Sequence, residues 1–408
     1  MTCKTAGRLF AILCFSLSPF GACSLAAGQV RDPERWEVFG KACERLRDVE
    51  QRIGAAGPEQ RRQVAADCLQ GWSADRREHP TAYGAAFRTY YGGRLMLAAG
   101  DRDGAALAFR AAATSPATAP EALFGLFELS CRPDKPIARE TYALLLGRVL
   151  PASVWAVDLN RRDCGPSFGL GTGGAPVPAP DPEMLPRVAE WFESMGMSRE
   201  ATDAYREAAY ASLAPPSVGD ASRPARTWLS AAAAPLWLRA AQAAWATGEV
   251  DLAANCLAKT LVYADRFVHK DALGVLNDWR ASGAPGAAPE PRLDPDKVRA
   301  IAKAYARMNL HPRSIALLRR AAPVLGDAAG RLEAEYAASW SRWVQAFAAG
   351  HERIVVWGQA AGTEEQRRVV VVPRPCSPEV MRQVRAVLGE DGPVAGGAGE
   401  KVKRDGTR

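Results

Sequence analysis

The chain has 408 residues, of which 48% are hydrophobic and 24% are charged. This composition is typical of a folded globular protein and excludes a wholly disordered or fibrous chain. The 52 Lys and Arg residues exceed the 45 Asp and Glu residues by seven, but this excess is spread over many segments, so it favours acidic partners only weakly.

The N-terminal residues have the layout of a secretory signal peptide. Lys4 and Arg8 give a basic start, Leu9–Leu17 is an apolar run, and small residues occupy most of 21–27. The apolar run is too short for a comfortable membrane span. We therefore predict cleavage after Ala26 and export to the periplasm or the medium.

A bacterial lipoprotein signal is the alternative for the same segment. Cys23 follows a Phe-Gly-Ala sequence that is similar to such signals, although those usually have Leu where this chain has Phe20. In that case the mature protein would carry a lipid anchor at Cys23. No membrane span is predicted after the signal, since no later segment approaches 18 uninterrupted apolar residues.

Export also changes how the cysteines are interpreted. Cleavage leaves an even number in an oxidising compartment, where disulfides persist: Cys43, Cys68, Cys131, Cys164, Cys256 and Cys376. Two helices joined near 54–57 would place Cys43 and Cys68 almost equally far from the turn, so we predict a Cys43–Cys68 disulfide. Buried free thiols are the alternative, and the pairing of the other four stays open.

The mature sequence predicts a helical protein. Between residues 33 and 350, apolar residues recur at three- and four-residue spacing and strand-like alternation is nearly absent. One frame recurs: a helix breaker, Ala five residues later, a large apolar residue four beyond that, and a small residue three further. The clearest copies start at Gly100 and Gly196, and weaker copies start at Pro133, Gly248 and Asn309. The frame predicts a helix, a tight turn and an antiparallel second helix.

At these positions the chain resembles the tetratricopeptide repeat family, with Trp237 where that family often places a large aromatic residue. The resemblance covers about 86–325. It implies an irregular solenoid of antiparallel helical hairpins, each covering the apolar face of its neighbour. The breakers are 33, 63, 52 and 61 residues apart, so inserted loops or unrecognised helices are expected between copies.

The predicted fold is all-α with a small C-terminal β-hairpin. Shifts in composition along the chain set the boundaries of the predicted domains. Val-rich segments at 353–358 and 367–373 predict the hairpin, and aromatic residues at helical spacing before them predict a capping helix. The predicted units are a signal peptide at 1–26, an N-terminal helical hairpin at 27–80, helical repeats at 81–328 with loop insertions at 165–182 and 282–295, a capping helix, β-hairpin and short helix at 329–388, and a disordered tail at 389–408.

Motifs for catalysis or cofactors are weak. Gly169–Gly174 satisfies G-x-G-x-x-G, but Ala175-Pro176 follows where a helix is needed, so a loop is the better interpretation. The four histidines are far apart and predict no metal site. Glu193-Ser194 superficially resembles the catalytic pair of periplasmic lytic transglycosylases, but Glu193 lies in the first helix of a repeat copy. We predict no enzyme activity, no catalytic residue, no cofactor and no metal.

In tetratricopeptide proteins the first helix of each pair lines a concave groove. Carried onto this chain, the resemblance implies the following groove residues: Tyr90, Arg94, Glu190, Glu193, Gln242, Trp245, Arg299, Lys303 and Arg307. The last three recur at four-residue spacing and form a basic row suited to a carboxylate or an acidic peptide; a solvated helix face is the alternative.

The predicted function is a non-catalytic scaffold that binds a protein or peptide partner in the cell envelope, and nucleic acid is not expected as a partner. A cell-wall or polysaccharide-processing enzyme built on an α-superhelix, or a purely structural envelope component, is the alternative.

Overall fold

A computed structural model describes residues 32–57, 59–78, 83–130, 181, 183–212, 231–283, 285, 290–358 and 366–373. The predicted predominance of helix is confirmed over this part of the chain. Its helices are α1 (Pro33–Ala55), α2 (Arg61–Glu78), α3 (Ala85–Ala99), α4 (Arg102–Ala112), α5 (Ala119–Ser130), α6 (Met184–Ser194), α7 (Ser198–Ala211), α8 (Ala234–Ala246), α9 (Val250–Tyr263), α10 (Arg266–Ser282), α11 (Pro295–Arg307), α12 (His311–Arg320), α13 (Ala322–Leu325) and α14 (Asp327–Gly350).

Two antiparallel strands follow α14. Strand β1 (His351–Gly358) pairs with β2 (Gln366–Pro373), with His351 opposite Pro373 and Gly358 opposite Gln366. The predicted signal peptide with Cys23, most of the first loop insertion, the short helix after the strands and the C-terminal tail lie outside the described residues.

Side-chain caps set where several helices begin. The carboxylate of Asp32 accepts a hydrogen bond from the backbone N–H of Glu34, and Asp265 and Asp294 cap α10 and α11 in the same way. Such caps satisfy backbone donors that the first helical turn leaves without partners. Pro33 and Pro295 occupy the first turns of α1 and α11, where a missing N–H costs nothing.

Four helical hairpins follow the frame found in the sequence: α3–α4, α6–α7, α8–α9 and α11–α12. Their turns hold Gly100, Gly196, Gly248 and Asn309, and all four have positive φ, between 59° and 95°. In this left-handed conformation glycine and asparagine are favoured. In each copy the first small residue (Ala, or Ser314 in the last), the large apolar residue and the second small residue are all buried, in the second helix or directly after it.

The first hairpin shows how these helices pack. A Cβ atom on Gly93 of α3 would lie 2.8 Å from the Phe109 ring of α4, so only a glycine lets the ring lie against the α3 backbone. Ala105, one turn before Phe109, has no exposed surface. A small residue and a large residue thus alternate along the contact, as the sequence frame predicts.

The N-terminal helix packs back onto the middle of the chain. Helix α1 contacts α9 and α10, and α3 also contacts α9. The Trp36 ring stacks on Tyr83 at 4.0 Å and meets the edges of Trp245 and Trp279 at 5.6 and 5.4 Å. In a strictly linear solenoid each repeat contacts only its sequence neighbours. This chain adds a contact across some 200 residues, and one hydrophobic core extends from Trp36 to Ala329.

The predicted Cys43–Cys68 disulfide is not formed. Both cysteines are buried free thiols, as is Cys256, and burial raises the pKa of all three. The prediction assumed that α1 and α2 pack along each other, but α2 packs mainly against α3. There the Trp72 ring fills the space above Gly92. The other predicted partners, Cys131, Cys164 and Cys376, lie outside the described residues.

Candidate functional site

Two of the predicted groove residues belong to the core. Tyr90 is 2% exposed and packs against Phe109, with ring centroids 5.7 Å apart. Trp245 stacks on Trp279 at 4.4 Å, next to Trp36. Tyr90 is buried against α4, and Trp245 is buried by Trp36 of α1 and Trp279 of α10. The hairpin frame alone does not show these contacts. The prediction that Tyr90 and Trp245 line a binding groove is therefore wrong.

The Arg94 side chain is also buried and paired within the protein. Its guanidinium lies 2.9 Å from the carboxylate of Glu50 and donates a hydrogen bond to the hydroxyl of Tyr263. The Tyr263 hydroxyl donates to the same carboxylate at 2.6 Å. Only 11% of the Arg94 side chain is exposed, and burial raises the pKa of Tyr263 well above its ordinary value. This network ties α3 to α1 and α9, so Arg94 has a structural role rather than the predicted binding role.

The two acidic groove residues predicted on α6 lie in different environments. Glu190 is exposed, whereas Glu193 accepts hydrogen bonds from the Tyr205 hydroxyl at 2.7 Å and from Arg239 at 2.9 Å. Gln242, predicted for the same groove, is exposed on α8. The Glu193 carboxylate therefore holds the α6–α7 hairpin to α8.

The basic row lies on the exposed face of α11. Arg299 forms an ion pair at 2.8 Å with Asp296 of its own helix. Lys303 and Arg307 are exposed, and neither forms an ion pair within the described part of the chain. Of the predicted binding residues, this row and the exposed Glu190 and Gln242 remain accessible.

A cleft that the sequence did not predict lies between α7 and α12. We call it the α7/α12 cleft; its volume is about 650 Å³, and residues of the turn before α5 also line it. Its floor is apolar and aromatic, with Phe192, Met197, Tyr210 and Tyr305 all buried. Volumes of this size are typical of ligand-binding clefts.

Charged residues line the two rims of the cleft and pair across it. Arg313 on α12 donates two parallel hydrogen bonds to Glu207 on α7, at 2.7 and 2.8 Å. Arg320 forms a second ion pair with Glu200 at the other end. Burial disfavours the charge on Arg313, but the Glu207 carboxylate outweighs it, so the pKa of Arg313 is raised. Bidentate pairs of this kind hold their partners in a defined geometry.

A buried ion pair lies behind the cleft floor. Lys259 of α9 and Glu121 of α5 approach to 2.6 Å, and both side chains have no exposed surface. The Lys259 ammonium donates to the carbonyl oxygen of Ala117 at 3.0 Å and to the Tyr210 hydroxyl at 3.3 Å, and lies 4.0 Å from the Trp237 ring. Burial lowers the pKa of Lys259, while Glu121 acts in the opposite direction.

The sequence held a weak signal for this pair. Lys259 interrupts an otherwise apolar stretch of α9, and Glu121 does the same in α5. A charge at a core-facing helix position needs a buried partner. Nothing in the spacing identified which residue that partner is, because the two lie 138 positions apart.

Comparisons of the chain with protein-family models, with curated protein sequences and with solved structures found no match. None of the described helices combines the length and the apolar character needed to cross a membrane. Over the same residues, no three His, Cys, Asp or Glu side chains are grouped so that they could hold a metal ion.

Proposed function

We propose that this protein is an exported, non-catalytic scaffold of tetratricopeptide-like helical hairpins that binds a peptide segment of a partner protein in the cell envelope. The α7/α12 cleft is the observation that carries the proposal. We propose this cleft in place of the groove expected on the first helices of the hairpins. Tyr90 and Trp245 are buried in the core, and Arg94 is paired with Glu50, so these three side chains are not open to a partner.

The walls of the cleft suit a peptide. The floor offers apolar and aromatic surface, while the rims carry charged groups and small residues such as Ala113 and Ala316 that leave room between the helices. An extended chain presents side chains of alternating direction, so an apolar side chain can face the floor while its polar neighbours meet the rims. A chain lying between α7 and α12 would contact two hairpins at once.

Three of the four carboxylates near the cleft, all except Asp203, already have close partners within the protein. Glu207 and Glu200 are each paired with an arginine, and Glu193 accepts two hydrogen bonds. General acid–base catalysis needs a carboxyl group that is free to exchange a proton with substrate. These three carboxylates are instead engaged by side chains of the protein itself.

The basic row of Arg299, Lys303 and Arg307 is proposed as a secondary contact for acidic parts of the same partner. Its exposed cations lie on α11, the helix that also contributes Tyr305 to the cleft. A partner that extends beyond the cleft along α11 would meet this row.

Site-specific photocrosslinking in the native envelope tests the proposal. A benzoylphenylalanine at Ala316 inside the cleft should crosslink to one continuous segment of a partner protein, identified by mass spectrometry of the linked peptide. The same residue at Asp271, exposed on α10, is the matched control and should not recover that segment.

Two outcomes would overturn the proposal. A crosslink from position 316 to glycan instead of protein would favour the polysaccharide enzyme. The absence of any crosslink at 316, with an intact helical circular dichroism spectrum, would favour the purely structural component.

A further inference from the structure

The two rims of the α7/α12 cleft carry matched rows of residues. On α7, Glu200, Asp203 and Glu207 follow the spacing i, i+3, i+7, and on α12 the same spacing joins Arg313, Ala316 and Arg320. Residues at this spacing share one face of a helix. All six line the cleft: Glu200, Asp203, Glu207, Arg313, Ala316 and Arg320.

The observed ion pairs fix how the rows face each other. Glu200 pairs with Arg320, and Glu207 pairs with Arg313, so the two helices run in opposite directions along the cleft. The middle position of one row therefore faces the middle position of the other. Asp203 faces Ala316, where a third arginine would complete the series of pairs.

Asp203 has capacity for a further partner. Its carboxylate is 3.7 Å from Arg206 of the same helix, too long for a hydrogen bond, and its side chain is 63% exposed. Arg206 also donates to the carbonyl oxygen of Pro116. No described residue donates a hydrogen bond to the Asp203 carboxylate. Arg199, the other nearby cation on α7, lies 3.7 Å from Glu249.

Each cation that lines the cleft has a partner in the protein, and Arg313 has the least exposed one. Both terminal nitrogens of Arg313 bond to Glu207, whose side chain is only 7% exposed. An anionic ligand would have to displace Glu207 from Arg313 and leave a buried carboxylate without its partner, which is strongly unfavourable. Of the acids on the α7 rim, Asp203 is therefore the one that forms no ion pair across the cleft with α12.

We infer that the cleft recognises a Lys or Arg side chain of the bound peptide, which lies beside Ala316 and pairs with Asp203 between the two existing ion pairs. This rests on the proposed function, because it assigns the specificity of the same cleft. The aliphatic stem of the ligand side chain would lie against Ala204 and Leu317, which also line the cleft.

Binding of a positional octapeptide library, with both termini blocked, tests this inference. The library is divided into sublibraries that fix Lys, Arg, norleucine or citrulline at one position, and affinity is measured by fluorescence anisotropy. The Lys and Arg sublibraries should bind best. Asp203→Asn should weaken them about 1.5-fold to fivefold, the range expected for a largely exposed ion pair, and leave the norleucine sublibrary unchanged.

Ala316→Arg gives a second, independent variant. Its guanidinium can reach Asp203 from within the protein, so it should remove the preference for cationic peptides. Ala316→Gln adds a side chain without charge and should keep that preference. Asp103→Asn, in the first turn of α4, is the control for loss of an acid elsewhere and should change nothing.

The outcomes separate the inference from the function on which it rests. If no sublibrary binds, the peptide-binding function fails. If peptides bind without preferring Lys or Arg, or if Asp203→Asn keeps the preference intact, the specificity inference fails while the function stands.

Discussion

At the scale of single residues, the charges with the largest effect on stability are those buried between helices. Lys259 and Glu121 have no exposed side-chain surface, yet they lie 2.6 Å apart and link α9 to α5. Taking two ions out of water costs several kcal/mol each, and the pair recovers this only while both partners are present. The pair therefore opposes changes in how α5, α7 and α9 meet behind the cleft.

Lys259→Met should lower the free energy of unfolding by about 3–5 kcal/mol, because it leaves Glu121 buried without a countercharge. The double variant Lys259→Met with Glu121→Leu should recover most of that loss, since both charges are then gone. Urea unfolding followed by far-ultraviolet circular dichroism measures both. Lys270→Met, at an exposed position on α10, should stay within about 0.5 kcal/mol of the wild type. A single variant as stable as the double one would contradict this account.

At the scale of elements, the end of the helical region depends on how α14 meets α12. His311 is the first residue of α12 and is 3% exposed. Its Nε2 lies 3.2 Å from the Ser339 hydroxyl oxygen, and its ring lies 5.6 Å from Trp340. Burial lowers the pKa of His311, and the positive end of the α12 dipole also disfavours a cation there. Burial at the α12–α14 contact therefore favours the neutral imidazole.

Stability should therefore fall in mild acid. Because the pKa of His311 is lower in the folded protein, its contribution is complete above the unfolded pKa of about 6.5 and is lost as pH falls through the folded value. The melting temperature should drop less between pH 7.5 and pH 5 in His311→Gln than in the wild type. The pH profile of His269→Gln is measured alongside, because burial also lowers the pKa of His269, which lies away from the α12–α14 contact. Identical pH profiles for His311→Gln and the wild type would contradict the prediction.

At the scale of the whole molecule, the chain is not a simple row of hairpins. Helix α1 covers α9 and α10, and Trp36 joins Tyr83, Trp245 and Trp279 in one aromatic cluster. Each buried aromatic side chain removes a large apolar area from water. Contacts between distant parts of the sequence couple the N-terminal helices to the α8–α10 region.

Trp36→Ala should lower the free energy of unfolding by about 3–5 kcal/mol, and it should destabilise α8 and α10, whose tryptophans pack against Trp36. Hydrogen exchange followed by mass spectrometry should show faster exchange in α8 and α10, with α11 and α12 unchanged. Phe267→Ala, which removes an aromatic ring that is 65% exposed, should leave exchange in α8 as it is in the wild type. Faster exchange confined to α1 and α2 would indicate a linear array instead.

The hairpins could be predicted from the sequence because they depend on neighbours in the chain. A residue that tolerates positive φ, followed by small and large apolar residues at helical spacing, is sufficient to define a turn and the buried face of the next helix. Gly100, Gly196, Gly248 and Asn309 all occupy such turns. The predominance of helix follows from the same periodicity.

The binding residues could not be predicted in this way. The groove prediction gave each first helix an open face, but α1 covers part of that surface and encloses Trp245, while Arg94 turns inward to Glu50. The predicted Cys43–Cys68 bridge failed for a similar reason, since α2 packs against α3 rather than along α1.

The sequence by itself determined the helices, the positions of their turns and the face that each second helix buries, because these are set by spacing within about 15 residues. Only the tertiary structure decided which charges are buried, which cysteines remain apart, and that Asp203 and Ala316 line the same cleft. Those features depend on how distant helices pack, and the pattern within one helix does not specify which surface will cover it.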